Sequence, residues 1–315
     1  MPFSIAKPSS TPTVVSSVRR LRALTRRAPL ARRLRRGPIA AAFAMLVLLS
    51  AAAHAAALPS VASINLCADQ LVLIVAAPEQ VLTVSWLSAD PEESLLAAQA
   101  ARYPLNYGSA EELLRFHPDV VIAGAYTNAF TRALLARLGY KVIELEPEES
   151  VADIARNLRV VAAAIGREER GNALAAELHA REQQIAAARP AHSPATVVVR
   201  PGGFTVGEHS LADELMKLAG VRNVAAEQGL DRWGSLSMET LLASRPELIV
   251  LTGYRASQPS LANAVLEHPA LRLVRGERRT ATVPAPYWDC GLPQSLDAAA
   301  MLQQAAAPLQ QAAAP

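Results

Sequence analysis

The stretch "SAEELLRFHPDVVIAGAY", Ser109 to Tyr126, returns 128 positions later as "SMETLLASRPELIVLTGY", Ser237 to Tyr254. In the first copy Ser109 stands where it can cap a helix, and Glu111 and Glu112 fill the first turn in the pattern of a capping box. Leu113, Leu114 and Phe116 give that helix an apolar side, and Pro118 stops it. "DVVIAG" then reads as a short buried strand, because its β-branched apolar run shows no polar alternation. Ser237, Glu239, Leu241, Leu242, Pro246 and "ELIVLTG" repeat each step. Both copies are therefore a helix feeding a parallel strand, with Tyr126 and Tyr254 delivered just past the strand's C-terminal end.

The flanking sequence continues the alternation. "VASINL", "VLTVSW" and "YKVIELE" read as strands, with "CADQLVLIVAAPEQ" and "TRALLARLG" as helices between them. In the second half "ATVVVRPGGFTVG" is a strand running into a glycine loop, "SLADELMKLAG" a capped helix and "RTATVPAP" a late strand. Between the halves, Val151, Ile154, Leu158, Val161 and Ile165 recur at spacings of three and four, the stripe of an amphipathic helix. The organisation expected is a leader over 1–57, an α/β lobe over 58–149, a helical connector over 150–190, a second α/β lobe over 191–304 and a low-complexity, frayed tail over 305–315.

The leader changes the charge balance. Ten of the 31 Lys and Arg residues lie before Leu58 and none of the 28 Asp and Glu do, so the remainder carries 21 basic against 28 acidic groups, near −7. Nucleic-acid binding thereby loses its electrostatic footprint. "PIAAAFAMLVLLSAAAHA" after the Arg-rich run has the length of a signal-peptide core and ends in small residues, which predicts cleavage near Ala55 to Ala57 and a periplasmic product. A retained membrane anchor is the competing reading, and would suit a sensor module. No cysteine follows the apolar run, against a lipoprotein; the general and twin-arginine export routes both remain open. Cys67 and Cys290, an even pair in an exported chain, suggest a disulfide, with two buried thiols as the alternative.

No nucleophile elbow, phosphate loop, dinucleotide fingerprint or zinc-protease helix is present. The histidines are scattered singly, so no metal site is expected. Aromatic residues make up only 4 % of the chain, and Trp86, Tyr126, Phe204, Trp233, Tyr254 and Trp288 fall just past strand ends or in adjoining loops, where open α/β sheets hold ligands. Such rings suit a large, partly apolar ligand.

Taken in order, "INLCADQLVLIVAAPEQVLTVS", "EELLRFHPDVVIAG", the connector, "FTVGEHSLADELMKLAGVRN", "METLLASRPELIVLTG" and "YWDCGLPQ" resemble the class III periplasmic substrate-binding proteins of ABC importers, which handle cobalamin, ferric siderophores and haem. The resemblance covers about Ser60 to Gln304. It implies two Rossmann-like α/β lobes, each a mostly parallel sheet flanked by helices, joined by a single long connecting helix, with the ligand in the cleft between them. It implies a monomeric, non-enzymatic receptor without a cofactor, whose ligand is a cobalt- or iron-containing chelate and whose partners are a permease and its ATPase. Glu111 and Glu239, each seven residues before its proline, match the glutamates through which the family docks on the permease. Trp233 and Phe204 match cleft aromatics, and Arg200 or Arg255 would meet anionic ligand groups. Cys67 and Cys290 fall on segments bordering the cleft, as a disulfide, as thiols touching the ligand or as a soft-metal site. The competing function is an exported chelatase-like enzyme on the same architecture, with Glu208, His209 and Asp289 as its available groups.

Overall fold

The computed structural model describes residues 57–189, 192–253, 260–269, 271 and 279–312. The leader, Tyr254 and Arg255 lie outside the described residues. The first lobe is a five-stranded parallel sheet in the order β3-β2-β1-β4-β5. Its strands are β1 (Val61–Ser63), β2 (Val81–Ser85), β3 (Leu105–Asn106), β4 (Val120–Gly124) and β5 (Lys141–Leu145). Its helices are α1 (Leu66–Val75), α2 (Ala97–Ala100), α3 (Ala110–Leu114) and α4 (Ala129–Arg137). The second lobe is a parallel sheet in the order β11-β10-β6-β8, from β6 (Ala195–Val199), β8 (Arg222–Asn223), β10 (Leu248–Leu251) and β11 (Arg279–Thr282). An antiparallel pair, β7 (Phe204–Val206) and β9 (Trp233–Ser235), stands beside it. Its helices are α7 (Leu211–Ala219), α8 (Val224–Glu227), α9 (Met238–Ala243), α10 (Leu261–Ala264) and α11 (Ser295–Ala312), after α5 (Val151–Ala164) and α6 (Glu168–Ala187) of the connector. Both lobes belong to one compact unit beginning at Ala57.

The repeat persists to the level of single atoms. Ser109 accepts a hydrogen bond from Glu112 N at 3.3 Å, and Ser237 accepts one from Thr240 N at 3.1 Å. Glu112 closes the first capping box by accepting from the backbone N of Ser109 and Tyr107, which leaves Glu111 exposed as the counterpart of the exposed Glu239. After each helix the residue before the proline turns left-handed, His117 at φ 47° and Arg245 at φ 46°. A proline disfavours the right-handed helical region for its predecessor, so both helices end abruptly and the chain re-enters the sheet.

Each sheet divides its side chains by strand alternation. In β4, Val120 and Ile122 face a large apolar core while Val121 and Ala123 face a smaller one with Leu113 and Leu135. In β10, Leu248 and Val250 face that same large core while Ile249 packs on the far side with Leu241 and Leu271. The large core is continuous from one lobe to the other through α1, α5, α6, α7 and α11.

The connector is two helices. The stripe expected from the sequence is real, with Val151, Ile154, Leu158, Val161 and Ile165 all buried, and Gly166 at φ 71° then ends α5. The 20-residue α6 packs back along α5 and reaches α7 and α11, so it alone carries the chain between lobes. The expectation of a frayed tail is corrected: α11 runs to Ala312 through Pro308. Leu302 and Ala306 are fully buried, and Gln303 Nε2 donates to Ile185 O at 2.9 Å. An alanine-rich segment is a strong helix former once one face can bury.

Where α6 crosses α5, a Cβ on Gly171 would lie 2.4 Å from the Cβ of Ala162 and 3.1 Å from Leu158 O. Neither neighbour is a flexible side-chain end, so the helices would have to part. Gly171→Ala is therefore expected to destabilise the protein by about 1–3 kcal/mol, despite the gain of about 1 kcal/mol that this change brings in an open helix. Urea unfolding followed by circular dichroism checks the sign.

Candidate functional site

In an open parallel sheet the natural binding crevice lies at the strand C-termini where the strand order reverses. In the first lobe the reversal falls between β1 and β4, and in the second between β6 and β10. A cleft of about 470 Å³ opens at these two points. Asn65 and Cys67, after β1, and Ala125 and Tyr126, after β4, line it from one side, and Arg200, after β6, lines it from the other. Asn65 caps α1, accepting from the backbone N of Cys67 at 3.1 Å and of Ala68 at 3.2 Å.

The structure brings four of the six proposed aromatic residues to this cleft, namely Tyr126, Phe204, Trp233 and Trp288. Tyr126 and Trp233 are 83 % and 69 % exposed, so two large rings, one per lobe, stand free to stack on a guest. Trp288 differs from them. It is buried, with its indole N–H 3.3 Å from Thr252 Oγ1, and acts as cleft wall. Trp86 does not line the cleft, which corrects its assignment. It follows β2, one strand outside the reversal, and packs on Tyr107 with ring centroids 6.0 Å apart. Tyr254 lies outside the described residues. Glu111 and Glu239 are not in the cleft; both project from helix starts on the surface. The backbone N–H of Glu239 itself and the Ser237 hydroxyl hold the Glu239 carboxyl below its usual range.

The charged lining is organised in pairs. Arg200 Nη2 sits 2.8 and 2.9 Å from the two oxygens of Asp289. The cleft walls desolvate Asp289 and push its carboxyl up, against the pull of Arg200, although its side chain stays 30 % exposed to the cleft interior. Arg232 of the second lobe pairs with Glu149 of the first. His209 Nδ1 lies 3.0 Å from Asp231 Oδ1, and that contact holds the imidazole above its ordinary value. Glu148 was not singled out from the sequence. Desolvation pushes its carboxyl up, opposed by the Asn157 amide, whose Nδ2 donates to Oε1 at 2.5 Å. Gly291 lets Glu148 close in, since a Cβ there would fall 2.4 Å from Glu148 Cγ. The only sequence signal for Glu148 was its place in "EPEES", just past the end of β5.

Of the three groups that an enzyme could recruit, His209 and Asp289 line the cleft. Asp289 is tied to Arg200 and His209 to Asp231, and among the described residues no three His, Cys, Asp or Glu side chains are arranged to hold a metal ion. Cys67, in the first turn of α1, is joined to Cys290, just ahead of α11, by a disulfide with a Cα–Cα distance of 5.1 Å. It links the two lobes at the edge of the cleft.

Two α/β lobes stand around a cleft fed by both strand reversals and lined by exposed rings. A family profile described as "Periplasmic binding protein" matches residues 61–275, and the chain belongs to that family. Solved structures share the fold. The periplasmic haem-binding protein RhuT from Roseiflexus sp. RS-1, in apo form, is 22 % identical with a TM-score of 0.67, over 79 % of this chain and 99 % of that one. The periplasmic haem-binding protein HutB of Vibrio cholerae is 18 % identical with a TM-score of 0.64, over 82 % and 99 %. The periplasmic vitamin B12-binding protein BtuF of Vibrio cholerae is 18 % identical with a TM-score of 0.61, over 81 % and 98 %.

The disulfide closes a loop with a sequence separation of 223 residues. Loop-closure entropy puts its restriction of the unfolded chain at about 5 kcal/mol. Thiol titration of the unfolded, unreduced protein is expected to find no free thiol, and the Cys67→Ser/Cys290→Ser double variant to melt about 10 °C lower. Two titratable thiols in the wild type would refute the pairing.

Proposed function

We propose that this protein is the periplasmic receptor of an ABC importer for a metal chelate. The observation that carries the proposal is the cleft at the two strand reversals, walled by Tyr126 from one lobe and by Phe204 and Trp233 from the other. A flat or ring-shaped complex fits between such side chains by stacking, with polar groups fixing its edge. The leader is removed near Ala55 to Ala57, and the mature chain works in the periplasm as a monomer without a cofactor; the cobalt or iron is cargo.

Delivery requires the permease to recognise both lobes at once. Glu111 and Glu239 suit that task because they stand at the same position of two repeated helices, exposed, one on each lobe. Their separation reports the relation between the lobes, and so the state of the cleft. The second glutamate of the first copy, Glu112, is spent on its own capping box and is not available for docking.

The Glu111→Ala/Glu239→Ala double variant is expected to lose chelate uptake in cells, by at least about tenfold, while the purified protein binds the chelate as tightly as wild type. Uptake measured with labelled chelate, beside a calorimetric titration, separates the two properties. Unchanged uptake would show that docking runs through other residues.

A further inference from the structure

The charges lining the cleft restrict the kind of chelate it can take. The two guanidiniums that the described residues bring to the cleft, Arg200 and Arg232, are both matched, by Asp289 and Glu149. Those carboxylates line the same cleft, so neither arginine faces it as a spare positive charge. Glu146 and Glu148 also line it, and among the described residues neither forms a salt bridge. His209, when protonated, is answered by Asp231. The described lining therefore holds four carboxylates against two guanidiniums.

An anionic guest entering this site would have to pull Arg200 from Asp289, leaving that carboxylate unpaired where the cleft walls desolvate it, or Arg232 from the more exposed Glu149, or else face the surplus of carboxylates among the described lining. Each is unfavourable in a crevice screened poorly from its own charges. A guest with a neutral or cationic edge meets no such conflict. Its N–H groups can donate to Glu146, which is exposed and among the described residues forms no salt bridge. The rings of Tyr126, Phe204 and Trp233 are indifferent to the sign of the guest's edge, or favour a cation.

We infer that the cleft selects metal chelates whose enclosed edge is neutral or cationic and rich in hydrogen-bond donors, and discriminates against polyanionic ones; this rests on the chelate-receptor reading above. The haem-binding proteins that share the fold do not bear on it, since at 22 % identity or below they speak for architecture alone.

Calorimetric titration of the full mature chain with four probes tests this. Cyanocobalamin offers a neutral, amide-fringed edge and ferrioxamine B a single positive charge; haemin carries two carboxylates and ferric enterobactin three negative charges. One of the first two is expected to bind at micromolar concentration or tighter, and both anionic probes at least about tenfold more weakly. Anionic binding within about tenfold of the better neutral or cationic probe overturns the charge inference and leaves the receptor reading intact. Binding of none of the four overturns the receptor reading, and this inference with it. The Glu149→Gln variant, which frees Arg232, is expected to tighten haemin binding by about threefold or more in low salt. No gain in that variant would overturn the role given to the matched pairs.

Discussion

A parallel sheet has two apolar faces, and both must be covered. In this protein the inner faces of two sheets are covered by one shared set of helices. Val120, Ile122, Leu248 and Val250 come from strands in different lobes, and all reach the same continuous core with Ile154, Leu158, Leu174, Leu215 and Leu302. The inner faces of both lobes are completed by the connector, whose two helices pack on each other and on the lobes within the same core. That shared core keeps the strand C-termini of both sheets on the same cleft. The outer faces, by contrast, are closed separately, each by its own small cluster, and so the repeated helices α3 and α9 stay at the surface.

Much of this was legible in the sequence because the signals were local. Capping serines at 109, 210 and 237 accept the hydrogen bonds expected of them, and the buried strands of the repeat are where their β-branched runs put them. The two-residue strands β3 and β8 carry no periodicity, and only the finished sheet edge defines them. The tail misled because alanine-rich composition looks featureless until a surface is present to bury one side of it. Position along the chain served the site well for residues next to a strand reversal, such as Tyr126. It failed for Trp86, which sits at the end of a strand like the others but one strand away from the reversal. Pairings across the cleft, Arg232 with Glu149 above all, join residues 83 positions apart and had no local signature.

The cleft combines two kinds of wall. In the proposed receptor, exposed rings would provide broad, weakly directional contact, while the matched charges would impose a condition on the guest's edge. The first feature is shared readily among receptors of one architecture, and the second is written in a few side chains on loops that the fold leaves free to vary. Among the described residues both guanidiniums of the lining are already paired, so on the charge reading its selectivity comes from what a guest would disrupt as much as from what it would gain.

The bond between Cys67 and Cys290 makes the chain from α1 to the start of α11 a covalent ring. A single peptide-bond cut anywhere within that ring yields two fragments that remain one molecule, each lobe still tethered to the other by sulfur as well as by the shared core. For a protein working among extracytoplasmic proteases, a nick in an exposed loop of either lobe then interrupts the backbone without releasing a half. Loops of either lobe can thus be exposed at less risk to the whole.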